Sequence, residues 1–160
     1  MYYFSYQSPV GPLFLTSTGT ALTALHFEHT GHTRQDALPI FTQAQQWLNS
    51  YFAQQPLPPL PPVAPRGTPF QQRVWQLLRQ IPYGASVTYG ELARQLAQQL
   101  GKPHMSAQAV GQAIHRNPLS IIIPCHRVLG AKRQLTGYAG GLDKKIKLLQ
   151  LENIPFLPLH

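Results

Sequence analysis

The stretch Pro56–Pro69, PLPPLPPVAPRGTP, limits what this chain can fold into more than any other feature. Each proline fixes φ and removes a backbone donor, so neither a long helix nor a central strand can run through it. The residues before this segment must build their own core, and so must those after it. The expected division is an N-terminal α/β scaffold domain over 1–55, an extended semi-rigid linker over 56–67, and a second domain over 68–160.

Before the linker, β-favouring runs are broken by Pro9-Val10-Gly11-Pro12 and Thr18-Gly19-Thr20, which predicts two or three antiparallel strands. A helix is expected over 36–54, with Phe41, Ala44, Trp47, Leu48 and Tyr51 on one stripe. His26, His29 and His32 are spaced by threes, but with only Glu28 as a nearby carboxylate this reads as a loop, with no metal.

After the linker, 68–80 reads as a helix burying Phe70, Val74, Leu77 and Leu78, and Pro82-Tyr83-Gly84 ends it. Thr88 with Glu91 three residues on is a capping box, so a second helix starts at Tyr89 and buries Leu92, Leu96 and Leu100. Gly101-Lys102-Pro103 closes it, and Ser106 caps a third with Val110, Ala113 and Ile114 inward. Two short helices across a Gly/Pro turn suggest a helix-turn-helix. The third helix turns Gln108, Gln112 and His115 outward, and Ala107, Ala109 and Gly111 keep it thin enough to lie near base edges.

Charge falls on the same boundary. Residues 1–65 hold Arg34 against Glu28 and Asp36, a net −1, whereas 66–160 hold twelve bases against Glu91, Asp143 and Glu152, a net +9. Such asymmetry suits a polyanion, because Lys and Arg displace counterions from phosphates; a merely soluble basic surface fits the count equally well. No stretch nears the ~18 apolar residues of a membrane span, and the N-terminus lacks the pattern of a signal peptide. One cysteine can make neither an internal disulfide nor a Cys-rich zinc cage, which suggests the reducing cytoplasm.

The chemistry-bearing block is Ile121-Ile122-Ile123-Pro124-Cys125-His126-Arg127. The β-branched run predicts a buried strand that Pro124 breaks. Off a regular strand, Cys125 and His126 can share a site directly or through one water. Thiolate is the reactive form of cysteine, and a base or a cation beside it favours that form. An inert buried thiol is the competing reading. A final amphipathic helix, LDKKIKLLQLE, turns Leu142, Ile146, Leu148 and Leu149 inward and places Glu152 at its C-terminal end, against the helix dipole. That carboxylate could orient a histidine, or be a solvated charge at a frayed end.

From Thr68 to Glu152, through TYGELA, the NP-x5-PCHRV block, TGYAGG and LLQLE, the chain resembles the methylated-DNA–protein-cysteine methyltransferases. Residues 1–65 match loosely. The resemblance implies an α/β (α+β) fold: a small ribonuclease-H-like N-terminal domain and a winged-helix-like, helix-turn-helix C-terminal domain. It implies single-use transfer of the methyl group of O6-methylguanine, with O4-methylthymine a further candidate substrate, from duplex DNA to the protein's own cysteine. A monomer acting through the minor groove with base flipping is implied, with no cofactor and no membrane.

By motif, Cys125 is similar to the methyl acceptor, His126 to the base acting through a water, and Glu152 to the acid that orients it. Asn117 matches the residue holding the turn, and Tyr89 the acid that protonates departing guanine at N3. The implied DNA-facing set is Thr88, Ser106, Gln108, Ala109, Gln112, Arg116 and Arg127. The implied pocket set is Pro124, Val128, Tyr138, Ala139 and Gly140. Two departures stand out: Gln108 occupies a place where relatives commonly carry the Arg that fills the emptied stack, and the stretch from Tyr89 to Gln108 is longer than in many of them. A DNA-binding sensor with a silent Cys125 and a hydrolase using Cys125, His126 and Glu152 are the rival readings.

Overall fold

The computed structural model describes residues 1–29 and 31–158. It divides into two compact units, Met1–Arg66 and Gly67–His160.

In the first unit, β1 (Tyr2–Ser8), β2 (Gly11–Ser17) and β3 (Leu22–His26) form an antiparallel sheet in the order β1-β2-β3. Phe4 pairs with Leu15, Tyr6 with Leu13, and Leu15 with Leu25. Leu13 and Leu15 are buried while Phe14 and Thr16 are half-buried, the alternation of a sheet covered on one face. The cover is α1 (Pro39–Phe52), whose Phe41 stacks on Phe4 and whose Asn49 Oδ1 accepts from Tyr6 OH at 2.6 Å. This helix starts three residues later than the stripe predicts. Asp36 is held to β1 instead, its carboxylate accepting from Tyr3 N and its own N–H donating to Tyr3 O, and Pro39 then sets the first turn. The proline-rich segment is more than a connector. Leu22 N donates to Pro62 O and Ala64 N to Leu22 O, so it runs along the free edge of β3.

The second unit is mainly helical. α2 (Pro69–Arg79) opens on a reciprocal capping box between Thr68 and Gln71, and Trp75 Nε1 donates to Ala113 O at 2.8 Å, tying α2 to α4. β4 (Val87–Thr88) leads into α3 (Tyr89–Leu100), where Thr88 and Glu91 cap reciprocally and Gly101 closes the helix at φ 66°. α4 (Ala107–His115) is capped by Ser106. Leu92 and Leu96 are fully buried, each worth about 1.5–3 kcal/mol of transfer energy. β5 (Val128–Leu129) pairs in parallel with β4, Val87 against Val128, which sets the start of α3 beside the chain emerging from Cys125. α5 (Leu142–Leu151) packs Leu149 with Leu129, Leu135 and Ile154.

The Ile121–Ile123 run is not a strand. It is buried, but it turns: Ile122 N donates to Ser120 O, Ile123 N to Leu119 O and Cys125 N to Ile123 O. Ile121 sits at φ 72°, a left-handed conformation that costs a β-branched residue about 1–3 kcal/mol. Burial of its side chain and the bonds of Asn117 offset that strain. No helix among the described residues is long and apolar enough to cross a membrane.

Candidate active site

Two turns meet at Cys125. Asn117, just after α4, accepts from Leu119 N with its Oδ1 at 3.0 Å. Its Nδ2 donates to Ile123 O at 2.8 Å and to Cys125 Sγ at 3.2 Å. One buried side chain thus closes the 117–123 turn and touches the sulfur. Cys125, His126 and Arg127 form a single 3-10 turn, which takes their side chains off the alternation of a strand. Burial pushes the Cys125 thiol up; hydrogen bonds from Asn117 and Tyr138 and the charge of Lys145 pull the other way without reversing it. The resting sulfur is therefore a thiol and needs a base.

The next residue supplies one. His126 is wholly buried, and burial lowers its pKa despite the opposing pull of Glu152, so the ring is neutral at pH 7. Its Nε2 lies 2.5 Å from Glu152 Oε2, while its buried Nδ1 meets no polar partner among the described residues. With Glu152 ionised, the proton belongs on Nε2, which leaves a lone pair on Nδ1. Burial would raise the Glu152 carboxyl, but His126 and then Arg127 outweigh it and hold it at about 2. Glu152 Oε1 also accepts from Arg127 Nε at 2.7 Å and from Gly84 N at 3.1 Å. Glu152 lies at the C-cap of α5, in the interior, and not at a frayed end.

Arg127, expected at the DNA, is turned inward. Its guanidinium donates to Glu152 and to Ile81 O and stacks over Tyr83. A guanidinium beside a buried carboxylate gains more there than at a solvated phosphate.

Lys145 is the residue that sequence reading passes over. It is fully buried, and Nζ donates to Val128 O at 2.7 Å, Thr136 Oγ1 at 3.0 Å and Gly137 O at 3.5 Å, three acceptors for three N–H groups. Burial lowers its pKa to about 8, against the raising effect of Cys125. Its position shows a signal that was there to read: Lys145 lies three residues after Leu142 and three before Leu148, on the apolar stripe of α5.

A cleft over the sulfur is lined by Tyr89, Ile114, His115, Asn117, Cys125, Gly137, Tyr138 and Ala139. Of the expected pocket residues, Tyr138 and Ala139 are on this wall. Pro124, Val128 and Gly140 are not: Pro124 and Val128 are buried, and the Val128 carbonyl is taken by Lys145. Ile114, His115 and Gly137 join the wall unanticipated. Tyr89 OH accepts from Thr136 Oγ1 at 3.5 Å, so its own proton stays available toward the cleft. Burial raises its pKa, opposed by that hydrogen bond.

On the surface, Ser106, Gln108, Gln112 and Arg116 are exposed and Ala109 is half-exposed. The Ser106 and Thr88 hydroxyls are committed to helix caps.

Known proteins share the same plan. The family model described as the 6-O-methylguanine DNA methyltransferase DNA-binding domain matches residues 69–154, and that of the ribonuclease-like domain matches residues 1–61. A methylated-DNA–protein-cysteine methyltransferase from Haemophilus influenzae is 44% identical over 98% of this chain and 89% of its own length. One from Methanosarcina acetivorans is 42% identical over 95% of this chain and 98% of its own. The structure of Mycobacterium tuberculosis OGT in complex with DNA superposes with a TM-score of 0.81 at 45% identity, covering 95% of this chain and 92% of that one.

Proposed function

The chain belongs to the methylated-DNA–protein-cysteine methyltransferase family, and from that premise we propose that it repairs DNA by taking the alkyl group of O6-alkylguanine onto Cys125. The observation that carries the assignment is the one cysteine at the base of a cleft, its sulfur held by Asn117 and the adjacent neutral imidazole keeping Nδ1 uncommitted.

The steps follow from the geometry. Ionised Glu152, fixed by Arg127, holds His126 as the Nε2–H tautomer. Nδ1 then takes the Cys125 proton through one bridging water. Asn117 Nδ2 and the Lys145 ammonium favour the thiolate as it forms. Sulfur attacks the methyl carbon; the S–C bond forms as the C–O6 bond breaks. The electron pair passes into the guanine, which takes a proton at N3 from Tyr89 and leaves as a neutral base. The thioether has no route back, so each molecule acts once. The thiol proton ends on His126 and the Tyr89 proton on guanine N3, and the resulting imidazolium and phenolate return to neutral by passing one proton between them through water.

α3 and α4 act as a helix-turn-helix. The exposed Gln108 and Gln112 face of α4, thinned by Ala109, enters the minor groove, where Gln108 fills the stack left by the flipped guanine. Arg116 and the exposed part of the unit's basic excess meet phosphates. The first unit serves as scaffold, and the protein works as a monomer in the cytoplasm, where its thiol stays reduced. Mixing a limiting amount of protein with a duplex carrying one O6-methylguanine tests this. One lesion repaired per protein molecule, with no further loss over time, is expected; continued turnover contradicts the stoichiometric reading, and DNA binding without repair leaves a sensor.

A further inference from the structure

The turn Gly130-Ala131-Lys132-Arg133-Gln134, between β5 and the cleft wall, holds backbone strain that the reaction steps leave unused. Lys132 stands at φ 57° and Arg133 at φ 60°, two consecutive residues with a Cβ in the left-handed region that favours glycine. Such conformations persist only where surrounding contacts over-determine them. Lys132 offers little hold: it is exposed and, among the described residues, in no ion pair. Arg133 does hold. Its Nη1 donates to Ser86 O and to Ser86 Oγ, each at 3.0 Å, and its Nη2 donates to Glu91 Oε1 at 3.3 Å. Its backbone closes the turn, with N donating to Gly130 O and O accepting from Leu157 N.

The two residues that the guanidinium grips bracket Tyr89. Ser86 lies three positions before it and Glu91 two after it, and the same Glu91 Oε1 accepts from Thr88 N at 3.2 Å. On the other side, Thr136 follows Arg133 by three residues and donates to Tyr89 OH, and Gly137, Tyr138 and Ala139 come next on the cleft wall. Gly130 packs tightly against that segment, since a Cβ there would lie 2.7 Å from Thr136 Cγ2. Arg133 thus ties the segment bearing Tyr89 to the segment that supplies the 137–139 wall. A phenol protonates a leaving base only within hydrogen-bond reach, so the spacing of these two segments governs the acid step. We propose that Arg133 is a positioning residue for alkyl transfer, holding Tyr89 and the 137–139 wall at the separation that lets Tyr89 protonate the departing guanine. The proposal rests on the repair reading above. It requires no contact of Arg133 with DNA or with the sulfur.

The test is single-turnover transfer from a saturating duplex carrying O6-methylguanine, compared between the wild type, Arg133→Gly and Lys132→Gly. Each variant relieves one left-handed residue and removes one charge from the same turn, so thermal melts should show both folded and close to the wild type. Arg133→Gly is expected to slow transfer about tenfold, part of the roughly 10²–10⁴ that a positioned acid supplies, and Lys132→Gly to keep the wild-type rate. Arg133→Lys, which can still donate to Ser86 O, should recover part of the loss. In a Tyr89→Phe background, Arg133→Gly should add less than about twofold, because both changes remove the same acid. Iodomethane gives a reaction that needs no acid: the S–C bond forms as C–I breaks, and iodide leaves without a proton. Its rate on Cys125, read from the mass of the modified peptide, should match the wild type in Arg133→Gly within about twofold. Wild-type transfer by Arg133→Gly overturns the proposal, and so does an equal loss in Lys132→Gly, since a loosened turn or lost charge would then explain it. Equal slowing with iodomethane, or full additivity with Tyr89→Phe, overturns it as well by taking the effect away from the acid. A wild type that removes no methyl group from O6-methylguanine contradicts the repair reading itself, a result distinct from any of these.

Discussion

Replacing Glu152 with Gln removes one charge from the point where three parts of the C-terminal unit meet. The carboxylate accepts from Gly84 N at 3.1 Å, His126 Nε2 at 2.5 Å, Arg127 Nε at 2.7 Å and Arg127 Nη2 at 3.2 Å. An amide of the same size has one acceptor oxygen in place of two, and its NH₂ faces a donor. Arg127 is left nearly buried without its counter-charge. Breaking a buried pair from one side costs about 3–5 kcal/mol. At about 2–4 °C per kcal/mol for a chain of this length, Tm should fall by roughly 10 °C.

The acid limb of stability should change as well. Ionised Glu152 contributes stability that is complete above its ordinary value of 4.5 and lost as pH falls toward about 2; the variant lacks this limb. Single-turnover transfer, measured where both proteins are folded, should slow by about 10²–10⁴ because the His126 tautomer is no longer fixed. A Tm within about 2 °C of wild type together with a rate within about threefold would refute the coupling of Glu152 to His126 and Arg127.

Burial is the main cause that lowers His126, and the charges of Arg127 and Lys145 add to it; Arg127→Gln removes one of those charges, so His126 should hold its proton to higher pH and the rising limb of the pH–rate profile should move alkaline; an unmoved limb would exclude Arg127 from tuning the base. Lys145→Met should cost transfer more than stability. An ammonium lowered from 10.5 to about 8 forgoes about 3 kcal/mol of charge stabilisation, so Tm should shift by a few degrees while the rate falls about tenfold or more. Full activity in that variant would remove Lys145 from the thiolate's surroundings. Gln108→Arg should speed repair of a well-stacked lesion several-fold and change a mismatched one little, because unstacking is already cheap there; equal rates on both would mean another group fills the stack.

What could be read from the chain was what depends on near neighbours. The Thr88–Glu91 capping box, Ser106 as a cap and the stripe of α1 arise from spacings of three and four residues, and they stand in the structure. The Ile121–Ile123 turn could not be read that way. A β-branched run is buried equally well in a strand or a turn, and the side chain that closes the turn, Asn117, lies outside the run. Arg127 misled for a related reason: its partner is 25 residues away at the end of α5, so a basic residue in a basic domain reads as solvent-facing. Lys145 was legible in principle from its phase on the helix, but residue type outweighed position. Tyr138 and Ala139 on the cleft wall are legible only through motif resemblance, since nothing in the composition of TGYAGG points to a pocket; the same resemblance offers Gly140, which is off the wall, and passes over Gly137, which is on it.

The most direct test of the central claim is the intact mass of the protein after exposure to a duplex bearing one O6-methylguanine, with the modified peptide mapped. The account predicts a gain of one methyl group, on Cys125, that does not increase with excess DNA. An unmodified Cys125 in a protein that still binds the duplex, or a methyl group on any other residue, would contradict it.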